Sequence, residues 1–513
     1  MYKDQKILIA KNNKGEEIFL NPGMANRHGL IAGATGTGKT VTLKVMAESF
    51  SAMGVPVFVS DVKGDLAGCA LPGKETDDMT ERIKRFGLNG TDFSFRGFPV
   101  TFWDIYGKKG IQLRTTISEM GPVLLSRILS LNETQSDILK VIFRIADEEG
   151  LLLIDTKDLK AMLNYVSENN KVYEAEYGKM SSVSIAAIVR SVVSLEASGG
   201  DVFFGEPAIS IFDLFSQSDG KGTVNILDCT SLINDGVLYS TFLLYMMSEL
   251  FETLPEVGDC DKPKMVFFFD EAHLLFNGAS KAFLEKIEQV VKLIRSKGVG
   301  IYFITQNPKD IPGGVLAQLG NKVQHALHAY TPAEQKAVKA AAEGFRENPD
   351  FDTFNAIMEL GTGEAIVSFL DESGVPGMAE RAFILPPESL MGSIDDEERY
   401  RRIKDSLYYS KYSAATDPDS AYEFLLRKGL EKAEASENEK ALTAAQKQAA
   451  KEKEARDRQA KRAAKSLGTT VAGTVGREVG KNVGKSFGSF GKTLGGNVGA
   501  SLGRGILSTL FRM

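Results

Sequence analysis

One stretch, Gly33-Ala34-Thr35-Gly36-Thr37-Gly38-Lys39-Thr40, constrains this chain more than any other. It fits G-x-x-x-x-G-K-[ST] at every fixed position. The apolar run "RHGLIAG" leads into it and "TVTLKVMAESFSAMG" leaves it with a helical pattern ending at Gly54. A second buried run, "VPVFVSDVKGD", follows, so strand, loop, helix and strand form a βαβ unit with a parallel sheet. The chemistry explains each residue. Glycines let backbone N–H groups converge on phosphate oxygens where a Cβ would intrude. The helix that follows points its positive end at the same anion. Lys39 can set a point charge between the β- and γ-phosphates. The Thr40 hydroxyl can ligate Mg²⁺. Gly33 to Thr40, together with Val41, are therefore the candidate nucleotide-binding residues.

The run "KMVFFFDEAHLLF" supplies the matching acids. Asp270 ends an apolar segment, which places it at the carboxyl edge of a buried strand, where ligands bind in open α/β sheets. A carboxylate there can hold Mg²⁺ through water, and Glu271 can orient and deprotonate an attacking water. The plainer readings are a helix-capping Asp and a solvated helix-start Glu. Asp-Glu-Ala-His also spells the signature of DEAH-box helicases, but the SAT-type and Q-x-x-G-R-x-G-R motifs of that family are missing from the sequence. Instead "GVGIYFITQNP" forms another buried strand ending at Thr305-Gln306, and Gln306 is placed to touch the γ-phosphate or its water. His273 falls near the site, with a packing role the plainer reading.

The rest of the chain reads as α/β, with a mainly parallel central sheet. Residues 1–111 hold the phosphate loop. Residues 112–205 show apolar spacing of three to four and are expected to form a helical insertion. Sheet patterning returns in 206–390, at "GTVNILDCT", "KMVFFFD", "VGIYFITQ" and "HALHAY", and closes with "EAIVSFLD" and "MAERAFILPP". Residues 391–465 read as a charged helical extension, and "EKALTAAQKQAAKEKEARDRQAKRAAK" is a strong helix former without an apolar face. No run approaches the ~18 apolar residues of a membrane span. The N-terminus lacks the order of a secretory signal, and the three cysteines lack CxxC spacing, so a cytoplasmic protein with reduced thiols is expected. From Lys440 onward 15 Lys and Arg face 4 Asp and Glu, a local +11 that leaves the remainder at −17. An acidic body argues against a large exposed DNA-binding face but not against a basic strip inside a ring.

Four motifs, "RHGLIAGATGTGKT", "VSDVKGD", "FFFDEAHLLF" and "RSKGVGIYFITQNP", occur in an order that resembles the HerA/FtsK superfamily of ring-forming P-loop ATPases, and more narrowly the bacterial HerA-like proteins of the YjgR type. The resemblance covers roughly residues 5–390. It implies a RecA-like core, a hexameric ring, ATP and Mg²⁺, and translocation on double-stranded DNA or another polymer through a central channel. It makes Lys39 and Thr40 the phosphate and magnesium residues, Asp270 and Glu271 the magnesium acid and catalytic acid, and Gln306 the sensor. It also sets Asp61 and Lys63 beside the phosphate loop, although a strand-end turn explains that pair equally well. HerA proper carries a β-barrel before its phosphate loop, and here only about 30 residues precede it.

Ring ATPases insert an arginine into the neighbouring subunit's site. Arg295, at a helix end before the sensor strand, and Arg381, in "MAERAFILPP", are the candidates. Arg295 can equally cap its own helix. In residues 466–513, glycines recur at 476, 480, 484, 488, 491, 495, 499 and 503, each after an apolar residue. Such a tail suits self-association, docking to a partner or contact with an anionic membrane, and a flexible linker is the plain alternative. A nucleotide-dependent scaffold is the competing function. A small-molecule kinase fits less well, because it needs an acceptor pocket and lid in place of the Asp-Glu pair and Gln306.

Overall fold

The computed structural model describes residues 2–465, except 4, 92, 198, 259, 278 and 280. The glycine-rich tail and the readings attached to it lie outside the described residues. The first strands are β1 (Tyr2–Lys3), β2 (Lys6–Asn12), β3 (Glu17–Leu20), β4 (Gly29–Ala32), β5 (Val57–Asp61), β6 (Val100–Asp104) and β7 (Ile111–Gln112). A small ribbon joins β8 (Gln217–Ser218) to β9 (Lys221–Gly222). The remainder are β10 (Val224–Asp228), β11 (Met265–Phe269), β12 (Val299–Thr305), β13 (Asn321–Gln324), β14 (Glu364–Ser368) and β15 (Glu380–Ile384). Among the described residues the main sheet has 13 strands, in the order β1-β2-β15-β14-β13-β4-β12-β11-β5-β10-β6-β7, with β3 on β2.

From β13 to β7 every neighbouring pair is parallel, while β14, β15, β2, β3 and β1 add an antiparallel flank. β5, β11 and β12 are buried at every residue, as strands covered on both faces must be. Their aromatic residues meet across the ladder. Phe267 stacks on Phe58 at 4.9 Å, Phe268 packs on Tyr302 at 5.2 Å, and Phe269 packs on Phe303 at 5.7 Å. These contacts fix the register, and the register fixes the site. Thr305 pairs with Ala32, Phe303 with Phe269, and Phe269 with Ser60. The phosphate loop, Lys63, Asp270 and Gln306 therefore leave the sheet along one edge.

The stretch between β7 and β8 is helical, with helices at Ile117–Ile128, Glu133–Glu148, Thr156–Glu168, Asn170–Tyr177, Ser182–Ala197 and Gly200–Phe203. Three of these open on reciprocal caps, Thr116 with Glu119, Asn132 with Gln135 and Asp155 with Asp158, which satisfy the first N–H groups of each helix. One expected strand is displaced. "HALHAY" (residues 325–330) is not a strand, and the ladder lies just before it, in β13. The chain leaves the sheet because its polar groups turn to the phosphate loop: Ala326 O accepts the Ala34 amide at 2.8 Å.

The chain divides into a compact unit, Met1–Gly429, and a second unit from Leu430. The described part of the second is the continuation to Lys465 of the helix Ala421–Lys465. Residues 391–429 thus share the first unit with the sheet, and particular side chains show why. Arg399 Nη1 donates to Asp228 Oδ2 at 3.2 Å, both groups buried, and its guanidinium lies 4.9 Å from the Phe102 ring. Tyr412 is fully buried against Trp103. No single described helix is long and apolar enough to cross a membrane. Removing one partner of a buried ion pair strands the other charge. Arg399→Ala should therefore cost about 3–5 kcal/mol of unfolding free energy, read as a lower denaturant midpoint, and nucleotide affinity should not change.

Candidate nucleotide site

The loop after β4 is shaped by its glycines and by the segments pressed on it. Gly33 has φ 153° and Gly38 φ 120°, values that side chains other than hydrogen rarely tolerate. A Cβ on Gly33 would also stand 2.5 Å from the His325 Cβ. The Gly33 amide donates to Thr305 O at 3.3 Å, and Thr37 O accepts the Gly363 amide at 3.0 Å. Lys39 Nζ lies across the loop, donating to Gly33 O at 2.6 Å and Ala34 O at 2.9 Å. Burial lowers the Lys39 pKa and the Lys63 charge lowers it further, against the pull of Glu271 and Asp270. Thr40 and Val41 sit half-buried in the first turn of the helix Lys39–Ala52, while Thr35 and Gly36 are exposed at the loop tip.

The acids face this loop from β11. Asp270 is held by its backbone in a closed ring of hydrogen bonds. Its amide donates to Ser60 Oγ at 3.1 Å, Ser60 Oγ lies 3.0 Å from the Tyr239 hydroxyl, and that hydroxyl donates to Asp270 O at 2.9 Å. Proton bookkeeping sets the directions. An amide only donates and a carbonyl only accepts, so the one Tyr239 proton goes to Asp270 O and the Ser60 proton goes to Tyr239. The ring fixes the corner at which Glu271 takes φ 47°, a left-handed conformation uncommon for a residue with a side chain and one that clusters at working sites. The Asp270 carboxyl accepts the Glu271 amide at 2.9 Å. Burial pushes its pKa up to about 7, with Lys63 opposing and Glu271 adding to the shift.

Glu271 gathers the remaining polar groups. Lys63 Nζ is 3.1 Å from Oε1, Gln306 Nε2 donates to Oε2 at 3.4 Å, and His273 Nδ1 lies 3.4 Å from the same oxygen. Burial alone would lower the Lys63 pKa, but Asp270 and Glu271 outweigh it and the net shift is upward. Asp61 faces its own turn: its oxygens accept the amides of Gly64 at 2.7 Å and Leu66 at 3.0 Å, and burial raises its pKa to about 6. Asp61 thus shapes the turn that carries Lys63.

The two arginines lie elsewhere. Arg295 is exposed in the turn before β12, at the sheet edge opposite Thr305. A strand of that length spans roughly 20 Å, so Arg295 cannot reach the site of its own chain. Arg381 bonds Glu364 Oε2 at 3.0 Å and lies 3.8 Å from Glu359.

Sequence reasoning missed His325, Thr42 and Tyr239. His325 is wholly buried beneath the loop, with Nδ1 2.9 Å from Glu364 O and Nε2 2.8 Å from Thr42 Oγ1. The carbonyl can only accept, so Nδ1 carries the proton and Nε2 accepts from Thr42. Burial lowers the His325 pKa to about 4, with the Glu364 carbonyl opposing and the Lys39 charge assisting. A ring that stays neutral in this way ties the loop helix to β14. Nothing in "HALHAY" marks its first histidine as different from its second, since the partners come from residues 283 and 39 positions away.

These groups fit a nucleoside triphosphate with magnesium. Two ammonium groups and a glycine cradle meet two buried carboxylates. The Thr40 hydroxyl and Asp270 offer the hard oxygens that Mg²⁺ takes along with phosphate oxygens.

Comparison with known proteins gives the family and the fold. A family described as helicase HerA-like, C-terminal, matches residues 6–513. The DNA double-strand break repair helicase HerA of Sulfolobus acidocaldarius is 20% identical over 69% of this chain and 64% of its own length. That of Sulfurisphaera tokodaii is 22% identical over 68% and 64%. The chain thus spans less than two thirds of these relatives. In fold it is similar to the bacterial conjugative coupling protein TrwBΔN70, at 14% identity and TM-score 0.50, over 76% of this chain and 90% of that one.

Tyr239→Phe opens the hydrogen-bonded ring at Asp270 and leaves two buried groups short of a partner, at about 1–3 kcal/mol. ATP turnover should fall more than tenfold with the dissociation constant for ADP within about twofold, checked by steady-state kinetics and calorimetric titration. The chain belongs to the family described as helicase HerA-like, C-terminal.

Proposed function

We propose that this chain is a P-loop ATPase that forms a homo-hexameric ring in the cytoplasm and couples ATP hydrolysis to movement or remodelling of double-stranded DNA held in a central channel. The observation that carries the reading is the gathering of Lys63, Gln306 and His273 on Glu271, across from Lys39. Lys39 and the loop amides hold the phosphates. Thr40 and Asp270 would hold Mg²⁺, which when bound would offset the charge of the phosphate oxygens. Glu271 takes a proton from water as that water attacks the terminal phosphorus, the bond from that phosphorus to the bridging oxygen breaks and the diphosphate leaves with its electron pair, and Gln306 orients the water. Support for DNA comes from the relatives, which are named as DNA double-strand break repair helicases.

In this reading Arg295 of one subunit completes the site of the next, since its edge of the sheet is remote from its own loop. Arg381, held by Glu364, is the weaker candidate. The tail beyond residue 465 serves self-association, partner docking or anionic membrane contact. A second reading, a nucleotide-dependent scaffold that moves no polymer, draws on the −17 balance outside the basic C-terminal region.

ATPase rate measured with and without duplex DNA, beside a native mass, separates the two readings. A motor runs as a hexamer that DNA stimulates several-fold, and an unchanged rate favours the scaffold. Lys39→Ala should abolish nucleotide binding, whereas Glu271→Gln should bind ATP and lose at least about 100-fold in turnover. Arg295→Ala should keep nucleotide binding and lose turnover by about 10³-fold, and a variant that hydrolyses ATP at the normal rate removes the trans-arginine assignment.

A further inference from the structure

Both oxygens of Glu271 have partners. Lys63 occupies Oε1, while Gln306 and His273 share Oε2. An ammonium paired to a carboxylate draws on its charge and makes it a weaker base, so Glu271 takes a proton from water more readily once Lys63 has left. Lys63 is also built to move. Its side chain is 39% exposed whereas that of Glu271 is 8%. Its backbone is pinned, because both Asp61 oxygens hold the turn through Gly64 and Leu66. The ammonium therefore swings on a flexible stem from a fixed base, and a compact point charge can change partners where a planar guanidinium resists.

The surroundings supply a reason to change. Lys63 and Lys39 are close enough for each charge to be felt by the other, and both face Asp270 and Glu271. With both carboxyls ionised the four formal charges balance. A triphosphate brought against Lys39 adds more negative charge than a single carboxylate carries, and a diphosphate lacks the group that extends toward Lys63.

We infer that Lys63 is the residue that distinguishes a triphosphate from a diphosphate, and that it does so by exchanging Glu271 for the terminal phosphate. The exchange frees the Glu271 oxygen to face water only when a cleavable phosphate is present. Lys63 is thus a nucleotide-state sensor acting within one chain, and it positions the base by letting go of it. The inference rests on the hydrolysis reading of the same site.

Calorimetric titration of the full chain with Mg²⁺–AMP-PNP and with Mg²⁺–ADP tests it in four proteins: wild type, Lys63→Met, Glu271→Gln and the double variant. Lys63→Met should weaken AMP-PNP binding by about tenfold or more, as loss of a charged contact does, and leave ADP within about twofold, which also certifies an intact fold. Glu271→Gln should tighten AMP-PNP, because Lys63 has no partner to give up, and the gain should shrink several-fold when Lys63 is Met. Any repulsion between Glu271 and phosphate is lost in both backgrounds and cancels from that ratio. Equal weakening of both nucleotides by Lys63→Met overturns the inference, as does an equal Glu271→Gln gain in both backgrounds. A wild-type chain that binds neither nucleotide overturns the hydrolysis reading itself, and the sensor with it.

Discussion

Everything at this site hangs on the backbone corner at Asp270 and Glu271. A strand that ended one residue earlier or later would turn the acids away from the phosphate loop. The corner is held by three hydrogen bonds in a ring, with Ser60 from the adjacent strand β5 and Tyr239 from the helix Gly236–Thr253. Because each member donates once and accepts once, none of the ring can be altered without leaving a neighbour unpaired. The left-handed φ of Glu271 is tolerable because this ring over-determines it.

The corner is in turn positioned by the apolar sheet below. Stacked rings along β5, β11 and β12 hold three strands in register, and parallel register brings the carboxyl ends of β4, β5, β11 and β12 to a common edge. The loop is then clamped from its other side. His325 and Gly363 join it to β13 and β14, so the antiparallel flank and the nucleotide loop behave as one piece. A displacement of β14 would reach the phosphate loop through the hydrogen bonds of His325 and Gly363.

Much of this was legible in the residues. The phosphate loop, the Asp-Glu strand and the Gln306 strand each announce themselves by local pattern, since period, glycine placement and strand-end polarity are short-range properties. Putting those strands in one parallel sheet set Lys39, Glu271 and Gln306 along one edge, whereas a strand-end turn explained Lys63 equally well and packing was the plainer reading of His273. Other features are written only in three dimensions. The role of Tyr239 depends on a helix crossing beneath β11, and in sequence it is one aromatic among many on an apolar helix. The charged stretch after Pro387 reads as an extension because its helix lacks an apolar stripe. Its attachment to the first unit comes instead from isolated residues such as Arg399 and Tyr412, which periodicity does not weigh. The break of the ladder at Gln324 escaped because "HALHAY" has good strand propensity, and the competing demand comes from the phosphate loop.

The central claim is that a single triphosphate bridges the loop at Lys39 and the acids after β11. A structure of the full chain with magnesium and a non-hydrolysable ATP analogue addresses it most directly. The account predicts phosphates cradled by residues 33–40, magnesium between the Thr40 hydroxyl and Asp270, and a water on the terminal phosphate facing Glu271. A nucleotide bound elsewhere, or one whose terminal phosphate points away from Asp270 and Glu271, would contradict it.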